Sequence, residues 1–307
     1  MASLMHDAKL NALLAKMPVL ANATNITRLN GGLTNKNYRI DTPANSYVMR
    51  VSERAISLLG IDRDNERINT DRAHQAGVSA AVIDALPEEN VLLISWIEAK
   101  TLHAENIHAQ QELLPRIAGS LRMLHSGSKF HRDFYFPDVR KKYLKTVLDN
   151  NYFLPDDYLQ AESLITELEK ILASAAEPLV PCNNDLLAEN FMDDGEKIWI
   201  IDYEYSGQNE ASFEIGNFAA EIFLNDAKLT VLCDAYWQKH LPEKIYRAMA
   251  WSMISRVGWV MWASIQEAVS PIEFDFRSWG LKKWDSVLPE IAGNRYKEVL
   301  EQLKKKS

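Results

Sequence analysis

Two short segments carry acidic and amide side chains at a spacing that could perform chemistry. Asp185 and Asn190 lie five residues apart after an apolar run, and Asp202 follows 17 residues after Asp185, at the end of a second apolar run. Phosphoryl transfer needs a carboxylate that accepts the proton of the attacking hydroxyl, and amide and carboxylate oxygens that hold magnesium ions against the phosphates. Asp185 could be the base, and Asn190 and Asp202 the metal ligands.

The same residues also fit a plain polar hairpin. Asp, Asn and Gly are common turn formers, and Asp193-Asp194-Gly195 separates two short strand patterns at 191–192 and 198–201. The elements that precede and follow this hairpin favour the chemical interpretation.

The first hundred residues predict a small antiparallel sheet with two helices. Turn formers at 30–32 and 42–45 separate short segments that are rich in β-branched and aromatic residues. Helices are expected at 4–17 and 62–76, and strands at 26–29, 37–40, 47–51, 81–85 and 91–94.

Beyond residue 100 the pattern becomes mainly helical. Helices are expected at 107–125, 139–149, 157–173, 213–224, 228–239, 243–268 and 280–302. The chain therefore belongs to the α+β class, with a small β-rich N-terminal lobe at 1–97 and a larger, mainly helical C-terminal lobe at 98–307. A cleft between two lobes is a common place for a ligand.

Composition excludes several functional classes. The 307 residues carry a net charge of −8, which argues against a nucleic-acid-binding protein. Two cysteines exclude a disulfide framework. The N-terminus lacks a signal-peptide pattern, and the apolar stretch 249–265 contains Arg256 and is expected to form a buried helix rather than a membrane span. We therefore expect a cytoplasmic protein without membrane insertion.

Motifs spread over nearly the whole chain carry a family resemblance. They are Leu29-Asn30-Gly31-Gly32-Leu33-Thr34-Asn35, Arg63-Asp64-Asn65-Glu66, the segments 121–125, 184–190 and 201–205, Phe213-Glu214-Ile215-Gly216-Asn217 and Ile272-Glu273-Phe274. With them the chain resembles the choline/ethanolamine kinase branch of the aminoglycoside-phosphotransferase superfamily, which has a bilobal, protein-kinase-like fold. The resemblance implies a phosphotransferase that uses ATP and Mg²⁺ to phosphorylate the hydroxyl of choline or a related amino alcohol.

The resemblance also implies a set of nucleotide-binding residues. The turn formed by Gly31, Gly32, Leu33, Thr34 and Asn35 would cradle phosphates with its backbone N–H groups. A basic residue on the third predicted strand, Arg50, would hold phosphates and pair with a helix carboxylate, for which Glu66 competes with Asp62 and Asp64. The hinge at 94–98 would meet the adenine through its backbone, at Ser95 and Ile97.

Aromatic residues cluster late in the chain, where six of the eight tryptophans follow residue 236. Trp259 and Trp262 share a helix face, and Phe276 and Trp279 come next. Aromatic faces hold quaternary ammonium groups, so these four residues could form an acceptor cage, although a single helix-face tryptophan is more often core. The resemblance adds Glu204, near both the magnesium and the acceptor, and Glu221 as a further acceptor anion.

Two departures from the family pattern leave alternatives open. Asn183 stands where the family usually has His, and only Phe223 could supply the aromatic expected shortly after Glu221. The alternatives are a kinase of the same fold for an aminoglycoside, thiamine or a sugar alcohol, and a nucleotide-binding protein with weakened catalysis. The sequence leaves the oligomeric state open.

Overall fold

The computed structural model describes residues 8–29, 35–52 and 59–305. The elements of its N-terminal part are α1 (Ala8–Ala15), β1 (Asn25–Leu29), β2 (Asn35–Asp41), β3 (Ser46–Ser52), α2 (Arg63–Gln75), β4 (Val82–Leu86) and β5 (Val91–Ser95). The five strands form a fully antiparallel sheet in the order β1-β2-β3-β5-β4. Helix α2 connects β3 to β4 along the chain.

Helices dominate the rest of the chain. They are α3 (Ala104–Ala109), α4 (Leu113–His125), α5 (Phe136–Asp149), α6 (Tyr158–Ser174), α7 (Ala211–Glu221), α8 (Asp226–Trp237), α9 (Pro242–Val269), α10 (Phe276–Ile291) and α11 (Asn294–Lys304). The predicted α+β architecture, with its β-rich N-terminal and mainly helical C-terminal part, is confirmed.

Two small antiparallel sheets hold the loops that carry the candidate catalytic residues. One pairs β7 (Leu179–Cys182) with β10 (Gly207–Glu210), and the other contains β6 (Lys100–Thr101), β8 (Phe191–Asp193) and β9 (Ile198–Ile200). The hairpin of β8 and β9 is confirmed. Strand β10 was not predicted, because its sequence Gly-Gln-Asn-Glu has no apolar pattern, although all four residues are buried.

Two predicted helices are each divided in the structure. The single helix predicted over 107–125 is wrong, because Gln110 adopts an extended backbone between α3 and α4. The single helix predicted over 280–302 is also wrong, because α10 ends at Ile291 and Gly293 caps α11. Helix α10 begins at Phe276, earlier than predicted, because the Asp275 side chain accepts a hydrogen bond from the backbone N–H of Ser278.

Two hydrophobic cores organise the described residues. The smaller core lies on the N-terminal sheet and includes Leu13, Met17, Ile40 and Met49. The larger core is helical, but Ala73 of α2 belongs to it, so α2 links the two parts of the molecule. Among the described helices, none combines the length and apolarity that a crossing of the lipid bilayer requires.

Helix α9 forms the centre of the helical part, and α7 packs against it closely at Gly216. A Cβ atom at Gly216 would collide with the backbone oxygen of Ala248 and would lie 2.9 Å from the Cβ of Trp251. Only glycine therefore permits this approach. It matters for function because α7 also supports the loop that contains Asp185, as described below.

We predict that Gly216→Ala lowers the free energy of unfolding by about 3 kcal/mol, since the added methyl group must push two packed helices apart. Gly119→Ala is the matched control, because the nearest atom to a Cβ there is a guanidinium nitrogen at 3.8 Å. The control should be neutral or stabilising by up to about 1 kcal/mol. Urea denaturation of both variants measures the difference, and equal stabilities would contradict the close packing.

Candidate active site

A cleft of about 820 Å³ lies between the N-terminal sheet and the helical part. The candidate residues that line it are Arg50, Ser95, Ile97, Asp185, Asn190, Asp202, Glu204, Glu221, Trp259, Trp262 and Trp279. The fold thus brings the predicted catalytic, metal, hinge and acceptor residues to one place.

The loop that precedes Asp185 has a fixed backbone. Asn184 adopts a positive φ of 67°, which Asn tolerates better than most residues. Its backbone N–H donates to Glu214 Oε1 at 2.7 Å, its side chain donates to the carbonyl of Tyr205 at 3.1 Å, and it accepts from Asn209 at 2.9 Å. These buried bonds position the next residue, Asp185, at the cleft.

Asn183 joins the two loops that carry the candidate acids. Its side-chain oxygen accepts the backbone N–H of Asp185 at 3.0 Å, and its side-chain nitrogen donates to the carbonyl of Asp202 at 2.8 Å. Asn183 is completely buried, so neither bond competes with water. Asn183 therefore braces the loop that carries Asp185.

Asn190 and Asp202 offer oxygen ligands to the cleft. The Asn190 side-chain nitrogen donates to the carbonyl of Asp185 at 2.6 Å, which leaves the amide oxygen for another partner. Asp202 has a positive φ of 64°, a conformation that clusters at functional sites. Carboxylate and amide oxygens are the ligands that Mg²⁺ prefers, so the donor set fits this ion.

The charge environment of Asp185 is strongly negative. Burial raises the pKa of its carboxyl group well above the usual range, and the charges of Asp202, Glu204 and Glu221 raise it further. The positive charge of Lys283 acts in the opposite direction. The Asp185 carboxylate therefore has an increased affinity for a proton.

Arg50 is the cation at the centre of this acidic site. It donates to Glu66 at 2.6 Å, to Asp202 at 2.5 Å and to Glu204 at 3.3 Å. Burial alone would lower the pKa of Arg50, but the three carboxylates raise it above its ordinary value. The predicted pairing of Arg50 with Glu66 is confirmed, while Asp62 instead caps α2 by accepting from the Asn65 N–H.

Only some of the residues predicted to bind the nucleotide lie in the part of the chain that the structure describes. Gly31, Gly32, Leu33 and Thr34 lie outside the described residues. Asn35 donates to Glu204 at 3.1 Å, and it joins the network around Arg50. Ser95 and Ile97 line the cleft as the hinge position requires, whereas Glu66 lies behind Arg50 and not on the wall.

Indole rings form one wall of the cleft. Trp262 lies 6.5 Å from Trp259 and 5.4 Å from Trp279 between ring centroids. The indole N–H groups of Trp259 and Trp262 donate to Asn217 at 2.7 Å and to the hydroxyl of Tyr205 at 2.9 Å. Both N–H groups are therefore engaged within the protein.

The remaining acceptor candidates differ in position. Phe276 packs behind Trp262, with ring centroids 5.8 Å apart, and it does not line the cleft, whereas Phe274 does. Phe223 lies outside the wall, with its ring 4.9 Å from the ammonium of Lys282. Glu221 lines the cleft and accepts from Lys283 at 2.6 Å.

Comparison with known proteins shows the family of this chain. The family model described as choline/ethanolamine kinase matches residues 26–244, which is more than half of the chain. The chain belongs to the choline/ethanolamine kinase family. The matched region contains the cleft residues from Arg50 to Glu221 but ends before Trp259.

Individual relatives have low sequence identity to this chain, but the similarity covers most of each chain. The chain is 26% identical to protein LicA of Haemophilus influenzae, over 83% of this chain and 77% of that protein. It is 27% identical to the probable ethanolamine kinase A of Dictyostelium discoideum, over 85% and 83% of the two chains.

Solved structures of the family resemble the fold. A choline/ethanolamine kinase family protein from Mesorhizobium loti superposes with a TM-score of 0.86 at 28% identity, over 97% of this chain and 98% of that one. The structure of LicA in complex with AMP has a TM-score of 0.73 at 21% identity, over 92% of this chain and 97% of that one. This similarity shows a shared fold.

The sequence did not predict that Arg63 would be a central residue of this site. Arg63, at the start of α2, donates to Glu66, to Glu204 at 3.2 Å and to Asn35 at 3.1 Å. It lies in one of the quoted family motifs, but nothing in its own sequence context distinguishes it from Arg67. The deciding signal is spatial, because its partners Asn35 and Glu204 lie far away in the chain.

We predict that Arg63→Met destabilises the protein by about 2 kcal/mol, because Glu66 and Glu204 lose a charged hydrogen-bond donor in a buried site. The control is Arg67→Met, whose side chain is 41% exposed and lies 4.0 Å from Asp64. That change should cost less than about 0.5 kcal/mol. Urea denaturation measures both, and a change at Arg67 as large as at Arg63 would contradict the assignment.

Proposed function

We propose that the protein is an ATP- and Mg²⁺-dependent kinase that phosphorylates the hydroxyl group of choline or a related amino alcohol. One observation carries this proposal. A single cleft is lined both by Asp185, Asn190 and Asp202 and by the indole wall of Trp259, Trp262 and Trp279. The first set supports phosphoryl transfer, and the second set supports binding of an organic ammonium group.

Asp185 would orient the acceptor hydroxyl and accept its proton. The raised proton affinity of the Asp185 carboxylate suits a general base. The rigid loop at Asn183 and Asn184 keeps this carboxylate in place before the substrate arrives, so that little reorganisation is needed at the moment of transfer.

Asn190 and Asp202 would hold Mg²⁺. When bound, the ion neutralises the charge of the nucleotide phosphates. Asp202 is already anchored through Arg50, and Asn190 through the carbonyl of Asp185. Glu204 accepts bonds from Asn35, Arg50 and Arg63, so its contribution is mainly to position Arg50 and to add negative charge near the ion.

We assign nucleotide binding to an N-terminal lobe at 1–97, and catalysis and acceptor binding to a C-terminal lobe at 98–307. Ser95 and Ile97 at the wall of the cleft support adenine binding by the hinge. Arg50, Glu66 and the turn at Gly31, Gly32, Leu33, Thr34 and Asn35 would bind the phosphates. The AMP complex of LicA supports nucleotide use in this fold.

The acceptor's ammonium group would lie against Trp259, Trp262 and Trp279, with Glu221 nearby. Phe276 would act by supporting the ring of Trp262 rather than by touching the acceptor. Both choline and ethanolamine are candidates, because both have a hydroxyl group two carbons from an ammonium group. The type of reaction, phosphoryl transfer to an alcohol, is the same for either acceptor.

We predict that ADP release with ATP and Mg²⁺ is stimulated by choline or ethanolamine, and not by thiamine or kanamycin.

Asp185→Asn should reduce kcat at least about 10³-fold, since loss of the general base and of its charge removes that much catalysis. Nucleotide binding, followed by fluorescence, should survive in the variant.

Glu189→Gln is the matched control, because Glu189 is exposed and lies at the mouth of the same cleft. It should keep kcat within about threefold, as expected for a surface change. Turnover by Asp185→Asn equal to that of the unaltered protein would overturn the role of Asp185. Stimulation by thiamine or kanamycin alone would overturn the proposed acceptor class.

We also predict that Asn183→Ala lowers kcat by about tenfold to a hundredfold with little change in KM. The variant leaves the N–H of Asp185 and the carbonyl of Asp202 without their buried partner. Asn183→His can supply a donor and an acceptor and should retain most of the rate. Steady-state kinetics of the two variants tests this role, and a large gain in Asn183→His would contradict it.

A further inference from the structure

The protein places an ammonium group of its own behind the indole wall. Lys283 on α10 is 1% exposed, and its Nζ donates to Glu221 Oε2 at 2.6 Å. The same Nζ lies 4.1 Å from the ring centroid of Trp279. Glu221 and Trp279 line the cleft, whereas Lys283 does not. Two residues of the proposed acceptor pocket are therefore already in contact with an internal cation.

The ion pair is a permanent part of the folded protein. The side chains of Lys283 and Glu221 are only 2% and 4% exposed. A buried charge that loses its partner is strongly unfavourable, so the pair stays formed while the protein is folded. An incoming acceptor therefore meets a Glu221 carboxylate whose Oε2 is occupied and whose charge is balanced.

Lys283 also occupies part of the Trp279 ring. A cation against an aromatic face is attracted to the electron-rich centre of the ring, and Lys283 already uses one face of Trp279. A second cation near this ring meets the positive charge of Lys283 as well as the ring itself. The faces of Trp259 and Trp262 have no such cation among the described residues, so they remain the better surfaces for an acceptor's ammonium group.

These contacts distinguish two kinds of ammonium group. A primary ammonium has three N–H donors, and each that leaves water needs an acceptor. A quaternary ammonium has none and is held by aromatic faces alone. The indole wall supplies faces, and one of the two acceptor oxygens that Glu221 could offer a primary ammonium, Oε2, already accepts from Lys283.

We propose that Lys283 is a specificity-determining residue, which favours a quaternary ammonium acceptor over a primary one by occupying Glu221 and one face of Trp279. The proposal rests on the proposed function, within which it selects choline over ethanolamine. Lys283 touches neither the hydroxyl nor the phosphates in this scheme, so it acts on recognition rather than on transfer.

The test compares kcat/KM for choline and ethanolamine in the unaltered protein and in Lys283→Met. Methionine has a similar length and no charge, so it releases the oxygen of Glu221. The ethanolamine-to-choline ratio should rise about tenfold, because only the primary ammonium gains a charged hydrogen bond. An unchanged or lower ratio would overturn the proposal.

The double variant Lys283→Met/Glu221→Met removes the released carboxylate and is the control for the space left by lysine. Its ratio should remain close to that of the unaltered protein. If the double variant showed the same rise as Lys283→Met, the effect would come from the cavity and the proposal would be wrong.

A binding measurement on the unaltered protein keeps the test independent of variant folding and of turnover. Tryptophan fluorescence should report tighter binding of tetramethylammonium than of methylammonium, and equal or reversed affinities would overturn the proposal. Absence of turnover with both alcohols would instead count against the proposed function, whereas turnover with an unchanged ratio in Lys283→Met would count against the role of Lys283 alone.

Discussion

The structure of the cleft depends on an unequal set of buried charges, in which two guanidinium groups face three carboxylates. Arg50 and Arg63 hold Glu66 of α2 together with Glu204, and Arg50 also reaches Asp202. The network joins β3 and α2 to the loop between β9 and β10, so it connects the two parts of the molecule. The network has excess negative charge, which Asp185 nearby increases, and this charge favours the binding of a cation at this point.

A second set of contacts makes the site rigid. Glu214 on α7 holds the backbone of Asn184, and Asn183 links Asp185 to Asp202. Helix α7 is in turn fixed against α9 by the close approach at Gly216. Since α9 also carries Trp259 and Trp262, the loop of Asp185 and these two indole rings are positioned by the same pair of helices. Transfer by positioning and charge neutralisation requires this kind of fixed geometry.

The sequence predicted those features whose signal is local. Alternating β-branched residues indicated the N-terminal strands, and the spacing of Asp185, Asn190 and Asp202 indicated a shared site. The pairing of β7 with β10 could not be predicted, because Gly207–Glu210 is polar and is buried only through long-range contacts. Arg63 and Lys283 were missed for a related reason, since each looks like an ordinary charged helix residue until its distant partners are known. Phe276 was predicted beside Trp279 in one cage, but it packs behind Trp262 and does not line the cleft, because spacing along the chain does not reveal which ring faces a cleft.

The central claim is that one cleft brings a magnesium-bound nucleotide and an ammonium-bearing alcohol together at Asp185. A crystal structure with Mg²⁺, a non-hydrolysable ATP analogue and choline tests it most directly. We predict metal bound to Asn190 and Asp202, the choline hydroxyl within hydrogen-bond distance of Asp185, and the ammonium group against the indole faces of Trp259 and Trp262. A choline molecule bound outside this cleft, or metal held by other residues, would contradict it.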